Sequence, residues 1–147
     1  AKGWIIEAPL GSLKTGSWKD QGMPFYSWGV TYSREYIIED AGRSYVLQLG
    51  DWKGTCAGVK VNGQPAGIIA FPPCRLDITS FIKTGINKIE VQVTGSLKNL
   101  MGPHFNNPDP GLASPWLFRN VKSYPPGAEY QLLDYGLLQE FKIARLR

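Results

Sequence analysis

The stretch VKVNGQPAG, residues 59–67, decides the fold. Apolar and polar residues alternate up to Asn62-Gly63 and resume after that pair, which is the pattern of two antiparallel strands joined by a tight turn. Asn-Gly accommodates the positive φ angles that a type I′ turn requires. Pro65 has no backbone N–H to donate, which predicts that its strand begins there or lies at the edge of a sheet. The stretch therefore predicts a β-hairpin.

The two-residue period of a half-buried strand is clearest over residues 26–38. One face of this predicted strand carries Tyr26, Trp28, Val30, Tyr32, Tyr36 and Ile38, interrupted by Arg34. The regular alternation predicts that Trp28 belongs to the core.

Other segments predict further antiparallel strands and one helical turn. The strands are predicted at residues 45–49, 57–61, 89–93 and 137–146, the last with Phe141 and Ile143 facing inward. The helical turn is predicted within residues 77–87, where Thr79 accepts a hydrogen bond from a free N–H of the first turn and Gly85 ends it in the left-handed conformation. Short strands, 17 glycines and 11 prolines predict an all-β sandwich.

Composition restricts the class of protein. A chain of 147 residues with 43% apolar and 19% charged residues predicts one globular domain, residues 1–147, without a membrane span. The net charge is +4, but Lys142, Arg145 and Arg147 supply three positive charges at the C-terminus. A nucleic-acid-binding protein clusters its basic residues along one face, so neither a nucleic acid nor a membrane is expected as a partner.

The two cysteines, Cys56 and Cys74, could form one disulfide in an oxidising compartment. If Val61 faces Gln64 across the turn, Cys56 faces Ile69. Cys74 then lies about five residues, on the order of 16 Å, beyond that position. The geometry favours two free thiols.

Residues 95–130 follow neither the strand period nor the helix period, and six of the 11 prolines lie there. Loops of this length in compact domains are usually functional, disordered or packed against another surface. Trp116, Leu117 and Phe118 argue against disorder, because such side chains favour burial. We expect a long irregular loop with a function or a partner surface.

Motifs that would name a reaction are absent from the sequence. The single histidine, His104, and two cysteines without CxxC spacing provide no zinc site, and a lone loop histidine is typical of a surface or packing residue. No GxSxG motif occurs, and residues 11–16, GSLKTG, lack the Gly-Lys-Ser/Thr end of a phosphate-binding loop. Glu39 and Asp40 fall between predicted strands, where adjacent acids are typical of a solvated turn. No catalytic residue is predicted and no cofactor is expected.

Aromatic side chains are the remaining candidates for function. Sugar rings present apolar C–H faces, so an exposed Trp beside amide or carboxylate groups can form a glycan platform. The candidate carbohydrate-binding residues are Trp18, Asp51, Trp52, His104, Asn106 and Trp116. The three tryptophans lie in turn-rich stretches, where core and binding roles stay equally open. Trp52 is the foremost candidate because GDWKG, residues 50–54, places an acid beside a ring at a predicted loop tip.

An ordered set of features runs from Leu47 to Val93. It comprises a strand ending in Leu-Gly, a Val-x-Val-Asn-Gly hairpin, Pro-Pro-x-Arg-x-Asp-Ile-Thr, a short turn, Gly-x-Asn and x-Ile-x-Val-x-Val. This order resembles the galactose-binding-like β-sandwich of glycoside hydrolases, as in the sugar-binding domain of family 2 β-galactosidases and β-glucuronidases. Together with SLKNLMG at residues 96–102 and DYGLL at residues 134–138, these motifs look most similar to a module near the C-terminus of bacterial family 106 α-L-rhamnosidases. Cys74 stands where the family often has an aromatic residue.

The resemblance implies a galactose-binding-like jelly-roll sandwich. It also implies a noncatalytic accessory module of a secreted or periplasmic, polysaccharide-degrading glycoside hydrolase, which binds carbohydrate or supports a catalytic domain. In the supporting case, residues 95–130 should present apolar surface that their own core does not cover. A structural calcium ion stays open, although no acid-rich loop identifies its ligands.

The alternative is a small stand-alone saccharide hydrolase that uses loop carboxylates. Such an enzyme requires two acids about 5 to 10 Å apart in one cleft. The acids available in predicted loops are Asp20, Asp51, Asp109 and Glu129.

Overall fold

The computed structural model describes residues 8, 10–105, 114–118 and 126–146. Within these residues the strands are β1 (Gly29–Ile38), β2 (Tyr45–Gln48), β3 (Trp52–Lys53), β4 (Cys56–Val61), β5 (Gln64–Ile69), β6 (Arg75–Asp77), β7 (Gly85–Thr94), β8 (Gly136–Leu137) and β9 (Lys142–Arg145). Helical structure is limited to α1 (Lys98–Met101) and to short 3₁₀ helices at Lys19–Gln21, Thr79–Phe81, Pro115–Phe118 and Gly127–Glu129. The prediction of an all-β chain is confirmed.

The strands form two main antiparallel sheets around one core. The four-stranded sheet has the order β1-β7-β4-β5, the three-stranded sheet has the order β6-β2-β9, and β3 pairs with β8 beside them. Buried side chains of both sheets belong to one cluster, which includes Leu47 of β2, Val59 of β4 and Val91 of β7. The two inward faces therefore bury each other's apolar residues, as the alternating sequence pattern requires.

The predicted hairpin is confirmed at its turn. Asn62 and Gly63 have φ angles of 53° and 82°, and Val61 faces Gln64 across the turn. Only the left-handed region satisfies these angles, which explains the Asn-Gly pair. Pro65 lies in β5, the last strand of its sheet, so the predicted edge position is also confirmed.

The predicted register beyond the turn is wrong by one residue. Ile69 faces Ala57 and not Cys56, because the pairing shifts between Val59 and Lys60. This irregularity places an extra residue in β5, as a β-bulge does, and periodicity in the sequence gives no sign of it. Both cysteines are half-buried free thiols in the structure.

The prediction that Trp28 belongs to the core is wrong. Its side chain is 75% exposed, whereas Tyr32 and Ile38 of the same alternating series are buried. The strand begins only at Gly29, which faces Thr94 at the very end of β7. Trp28 therefore lies beyond the end of the neighbouring strand, where its side chain stays in solvent.

The helical turn after β6 is a 3₁₀ helix whose predicted cap is wrong. The Asp77 carboxylate accepts the Thr79 backbone N–H at 2.9 Å, and the Thr79 hydroxyl accepts the Tyr45 N–H at 2.9 Å. Thr79 thus fastens the turn to β2, while the acid two residues earlier caps it. Gly85 has the predicted positive φ, 93°, but it begins β7.

The last predicted strand is divided in two. β8 pairs with β3, and β9 pairs with β2, so the chain changes partners between Leu137 and Lys142. Phe141 is buried as predicted, and Ile143 is half-buried and packed against the core. One alternating pattern in the sequence therefore serves two different sheets.

Candidate functional site

One end of the sandwich gathers most of the predicted functional residues. We call it the loop end, and it comprises residues 18–28, 51–55, 95–105 and 126–135. β1 begins here and β7 ends here, since Gly29 pairs with Thr94. Segments far apart in sequence meet at this end because antiparallel strands deliver their termini to it.

Trp18 anchors the loop end from inside. Its side chain is 1% exposed, and its indole N–H donates to the Tyr32 hydroxyl at 2.9 Å. Its backbone N–H donates to the Tyr135 carbonyl at 2.9 Å. A Cβ on Gly136 would lie 2.7 Å from the Trp18 indole nitrogen, so this packing requires glycine there. The prediction of Trp18 as a carbohydrate platform is wrong, because no ligand reaches a buried ring.

Asn99 fastens α1 to the segment before β8. Its side chain is buried, and its amide donates to the Leu133 carbonyl and accepts the Leu133 N–H, both at 2.8 Å. Two such bonds satisfy a buried amide without help from water. Lys98 donates to the Pro103 carbonyl, and partial burial lowers the pKa of its ammonium group. The sequence gives no sign of the two bonds between Asn99 and Leu133, because these residues lie 34 positions apart.

His104 is a packing residue of the loop end. Its ring stacks on Tyr130 with centroids 4.8 Å apart, and the edge of Phe25 approaches at 5.7 Å. Its Nε2–H donates to the Asn99 carbonyl at 2.8 Å. The half-buried ring thus covers Asn99, as expected for a lone loop histidine. As a sugar contact it stays a prediction.

The loop end exposes an apolar surface, defined here by Trp28, Leu97, Leu100 and Met101. Each of these side chains is between 53% and 75% exposed. The Gly95 N–H donates to the Trp28 carbonyl at 2.9 Å, which brings Trp28 beside the segment that leads into α1. Burying one such side chain is worth about 1.5–3 kcal/mol, so a surface that covered these residues would gain free energy from their burial. The apolar residues of KNLM were the overlooked sequence signal.

Asp51 follows β2 and lies next to a groove, whereas Trp52 begins β3, so the predicted loop tip is wrong at Trp52. The Asp51 carbonyl accepts the Leu138 and Gln139 N–H groups, each at 2.9 Å, and its side chain is exposed. The half-buried Trp52 ring donates its N–H to the Cys74 sulfur at 3.5 Å. A groove of about 680 Å³ opens next to Gln139. Gly50 lines this groove as well, but neither Asp51 nor Trp52 does.

The other predicted residues are dispersed or lie outside the described part of the chain. Trp116 is exposed on its 3₁₀ helix, and Asn106 and Asp109 lie outside the described residues. Asp20 and Glu129 are exposed on separate 3₁₀ helices. Among the described residues, no group of three or more His, Cys, Asp or Glu side chains could hold a metal ion.

Electrostatics at the loop end centre on a surface ion pair. The Lys19 Nζ and the Asp134 Oδ1 lie 3.0 Å apart, and the two side chains are 30% and 45% exposed. The hydrogen bond from Lys19 holds the pKa of the Asp134 carboxyl below its usual range, against the opposing effect of partial burial. This carboxyl is stabilised in its ionised form, which is the reverse of what a general acid needs.

Comparisons with known proteins link the chain to glycoside hydrolases. It is 31% identical over 147 residues to "Putative beta-glucuronidase" of Formosa agariphila. That match covers 85% of this chain and 13% of the relative. Among solved structures, the rhamnosidase from Novosphingobium sp. PP1Y matches with a TM-score of 0.59 and 28% identity, over 83% of this chain and 11% of that one. The chain thus resembles a small part of large glycoside hydrolases.

A second solved structure gives a weaker match. The Bifidobacterium dentium β-glucuronidase has a TM-score of 0.46 and 26% identity, over 60% of this chain and 16% of that one. No protein-family model matches the chain. Among the described residues, no helix is long and apolar enough to cross a membrane.

Proposed function

We propose that the chain, as one domain over residues 1–147, is a noncatalytic accessory module of a glycoside hydrolase that supports another domain of that enzyme. The observation that carries the proposal is the apolar surface at the loop end, formed by Trp28, Leu97, Leu100 and Met101 and left uncovered by the core. Contiguous exposed apolar residues often mark the surface through which a domain contacts a neighbour. The supporting role predicts this surface within residues 95–130.

Two findings support an accessory role. The chain corresponds to 13% and 11% of the length of its hydrolase relatives, which leaves their catalytic machinery room elsewhere. Its two facing antiparallel sheets agree with a galactose-binding-like jelly-roll sandwich, the fold that the sequence resemblance implies. A module of a polysaccharide-degrading enzyme would act where polymers occur, so we also propose a secreted or periplasmic location.

Carbohydrate binding is the second candidate function, favoured by the groove that Gly50 and Gln139 line next to Asp51. The stand-alone hydrolase is less well supported. Asp20, Asp51 and Glu129 are exposed and lie in three separate segments, and none of the three lines the groove beside Gln139. A glycosidase instead holds two carboxylates across one rigid cleft.

The coding sequence that flanks the chain provides the first test. We expect a catalytic domain in the same reading frame, and a complete coding sequence without one would contradict the proposal. The remainder of that enzyme, expressed without the module, should then bind the isolated module in gel filtration and calorimetry.

Variants of the apolar surface test which face docks. The double substitution Leu100→Ser and Met101→Ser should weaken binding to the remainder by about 100-fold, because two buried apolar side chains are lost. Ile37→Ser is the control, since Ile37 is an apolar residue that is even more exposed, at 79%, but lies at the far end of β1. Equal weakening by the control, or no complex at all, would refute docking through the loop end.

A further inference from the structure

The outer face of the three-stranded sheet carries a row of polar residues across all three strands. Gln48 of β2 faces Arg75 of β6 on one side and Lys142 of β9 on the other. Leu47, the preceding residue, is completely buried, so alternation places Gln48 and its two partners on the outward face. All three side chains of this cationic row are exposed.

Two hollows, which share Gln48, border the cationic row on the outer face of the sheet, and we refer to them together as the groove. Gln48 and Lys142 line the hollow of about 680 Å³ together with Gly50, Gln139 and Glu140. On its other side, Gln48 lines a second hollow of about 330 Å³ that reaches Arg75. A Cβ on Gly50 would lie 2.9 Å from the Gln139 side chain, so glycine there allows Gln139 to form the wall.

The charges of this groove are unequally compensated. Glu140 lines the first hollow and pairs with Arg34 of β1, whereas Asp77 lines the second hollow as an exposed carboxylate that accepts the Thr79 backbone N–H and keeps its negative charge. Arg75 and Lys142 form no ion pair with any residue in the described ranges. Adjacent strands lie about 4.8 Å apart, so the two cations are rooted about 10 Å from each other. Two unpaired cations therefore face a concave surface with side-chain amides between and beside them.

We infer that this groove binds an acidic saccharide, a sugar chain that carries carboxylate or sulfate groups. Arg75 and Lys142 would each pair with an anionic group, and the amides of Gln48 and Gln139 would bond to ring hydroxyls. Val46 and Ala144 of the adjacent row supply a small apolar floor for C–H faces.

The shape of the site favours a saccharide over an acidic protein surface. A groove of this volume suits a small ligand, whereas a stable protein interface buries about 800 Å² per partner around an apolar centre. The inference rests on the second candidate function, carbohydrate binding, and names the class of sugar that this groove would take; domain support uses the loop end and requires no ligand.

Calorimetry of the intact chain with three named probes tests the inference. The probes are a galacturonate trisaccharide, a sulfated galactose trisaccharide and an uncharged galactose trisaccharide. At least one acidic trisaccharide should bind at least tenfold more tightly than the uncharged one, and the stronger of the two identifies the anionic group. Nuclear magnetic resonance should place the shifted amides at Gln48, Lys142 and their neighbours.

Charge-removing variants locate the site. Lys142→Gln and Arg75→Gln should each weaken binding of the acidic trisaccharide by about tenfold, the loss of one charge-assisted hydrogen bond. Lys60→Gln is the matched control, because Lys60 is an exposed strand lysine on the other sheet and makes no ion pair with the described residues. The Lys60→Gln variant should bind the acidic trisaccharide with unchanged affinity.

Several results would overturn the inference: no binding of either acidic trisaccharide, equal binding of the uncharged one, or equal weakening by Lys60→Gln. Equally tight binding of a polyglutamate peptide, lost in Lys142→Gln, would overturn it in favour of an acidic protein partner. None of these outcomes affects docking through Leu100 and Met101, which is measured with the remainder of the enzyme.

Discussion

Two buried asparagines hold the two ends of the sandwich in different ways. At the hairpin end, Asn87 is fully buried and donates to the Lys83 and Gly85 carbonyls. Its side-chain oxygen accepts the Lys83 N–H and the Asn62 amide, each at 2.9 Å. At the loop end, Asn99 makes its two bonds to Leu133 alone.

The difference separates a rigid end from an adaptable one. Asn87 ties the turn before β7 to the start of β7 and to the β4–β5 hairpin, and these strands belong to one sheet. Asn99 ties a four-residue helix to a segment that has no regular structure around Leu133. Regions held by few long-range contacts open locally at low free energy, and binding surfaces are commonly drawn from them. The apolar surface accordingly lies at the loop end.

Loss of the Asn87 side chain should produce the largest effect. Asn87→Ala leaves the Asn62 amide and the Lys83 N–H without their buried partner, which we expect to lower the free energy of unfolding by about 2–4 kcal/mol. Urea unfolding measures this change. Thr84→Ala, at an exposed neighbouring position, is the control and should change stability by less than about 0.5 kcal/mol. Equal effects of the two variants would contradict the rigid role of Asn87.

Asn99→Ala should produce a smaller and more local effect. We expect a loss of about 1–2 kcal/mol, expressed as faster hydrogen exchange at the Leu133 amide, while Val91 in the central strand β7 keeps its protection. The exposed Leu100→Ala should leave exchange at Leu133 nearly unchanged. Equal acceleration at Val91 would show that the loop end unfolds only with the whole sandwich.

The smallest effect concerns the Lys19–Asp134 ion pair at the loop end. Because the pKa of Asp134 is lowered in the folded state, its stabilising effect is present above the unfolded value of about 3.9 and disappears as the pH falls through the folded value. Both side chains are partly exposed, so Asp134→Asn should cost only a few tenths of a kcal/mol at pH 7. Unfolding measured at pH 7 and pH 2 should show the difference at pH 7 alone. A difference that persists at pH 2 would indicate a role other than charge.

The alternation and turn patterns of the sequence predicted where strands occur, but they did not predict the cross-strand register or the strand ends. The Asn62-Gly63 turn follows from backbone geometry alone, and the alternation around Leu47 and Val91 follows from one buried face. The bulge opposite Val59 was missed because an extra residue in one strand is defined only by its partner. The division of the last strand was missed because pairing with β3 or β2 is a choice between distant segments.

The candidate site was predicted only in part. GDWKG predicts a loop tip because Gly and an acid at a strand end indicate a turn, but Trp52 and Lys53 form β3, so only the part up to Asp51 is a loop. The cationic row of Arg75, Gln48 and Lys142 could not be predicted, because three strands align it and each contributes one residue. Cross-strand register is a property of the folded sheet.

Trp18 and Trp28 separate what the sequence determined from what only the tertiary structure determined. The sequence by itself determined an all-β chain, the hairpin and the alternating faces, because these depend on backbone angles and a two-residue period. Only the tertiary structure decided that Trp18, from a turn-rich stretch, is buried and that Trp28, from a strand-like stretch, is exposed. Burial depends on where the neighbouring strands end and which loops return to cover them, and those limits are set by contacts between residues far apart in the chain.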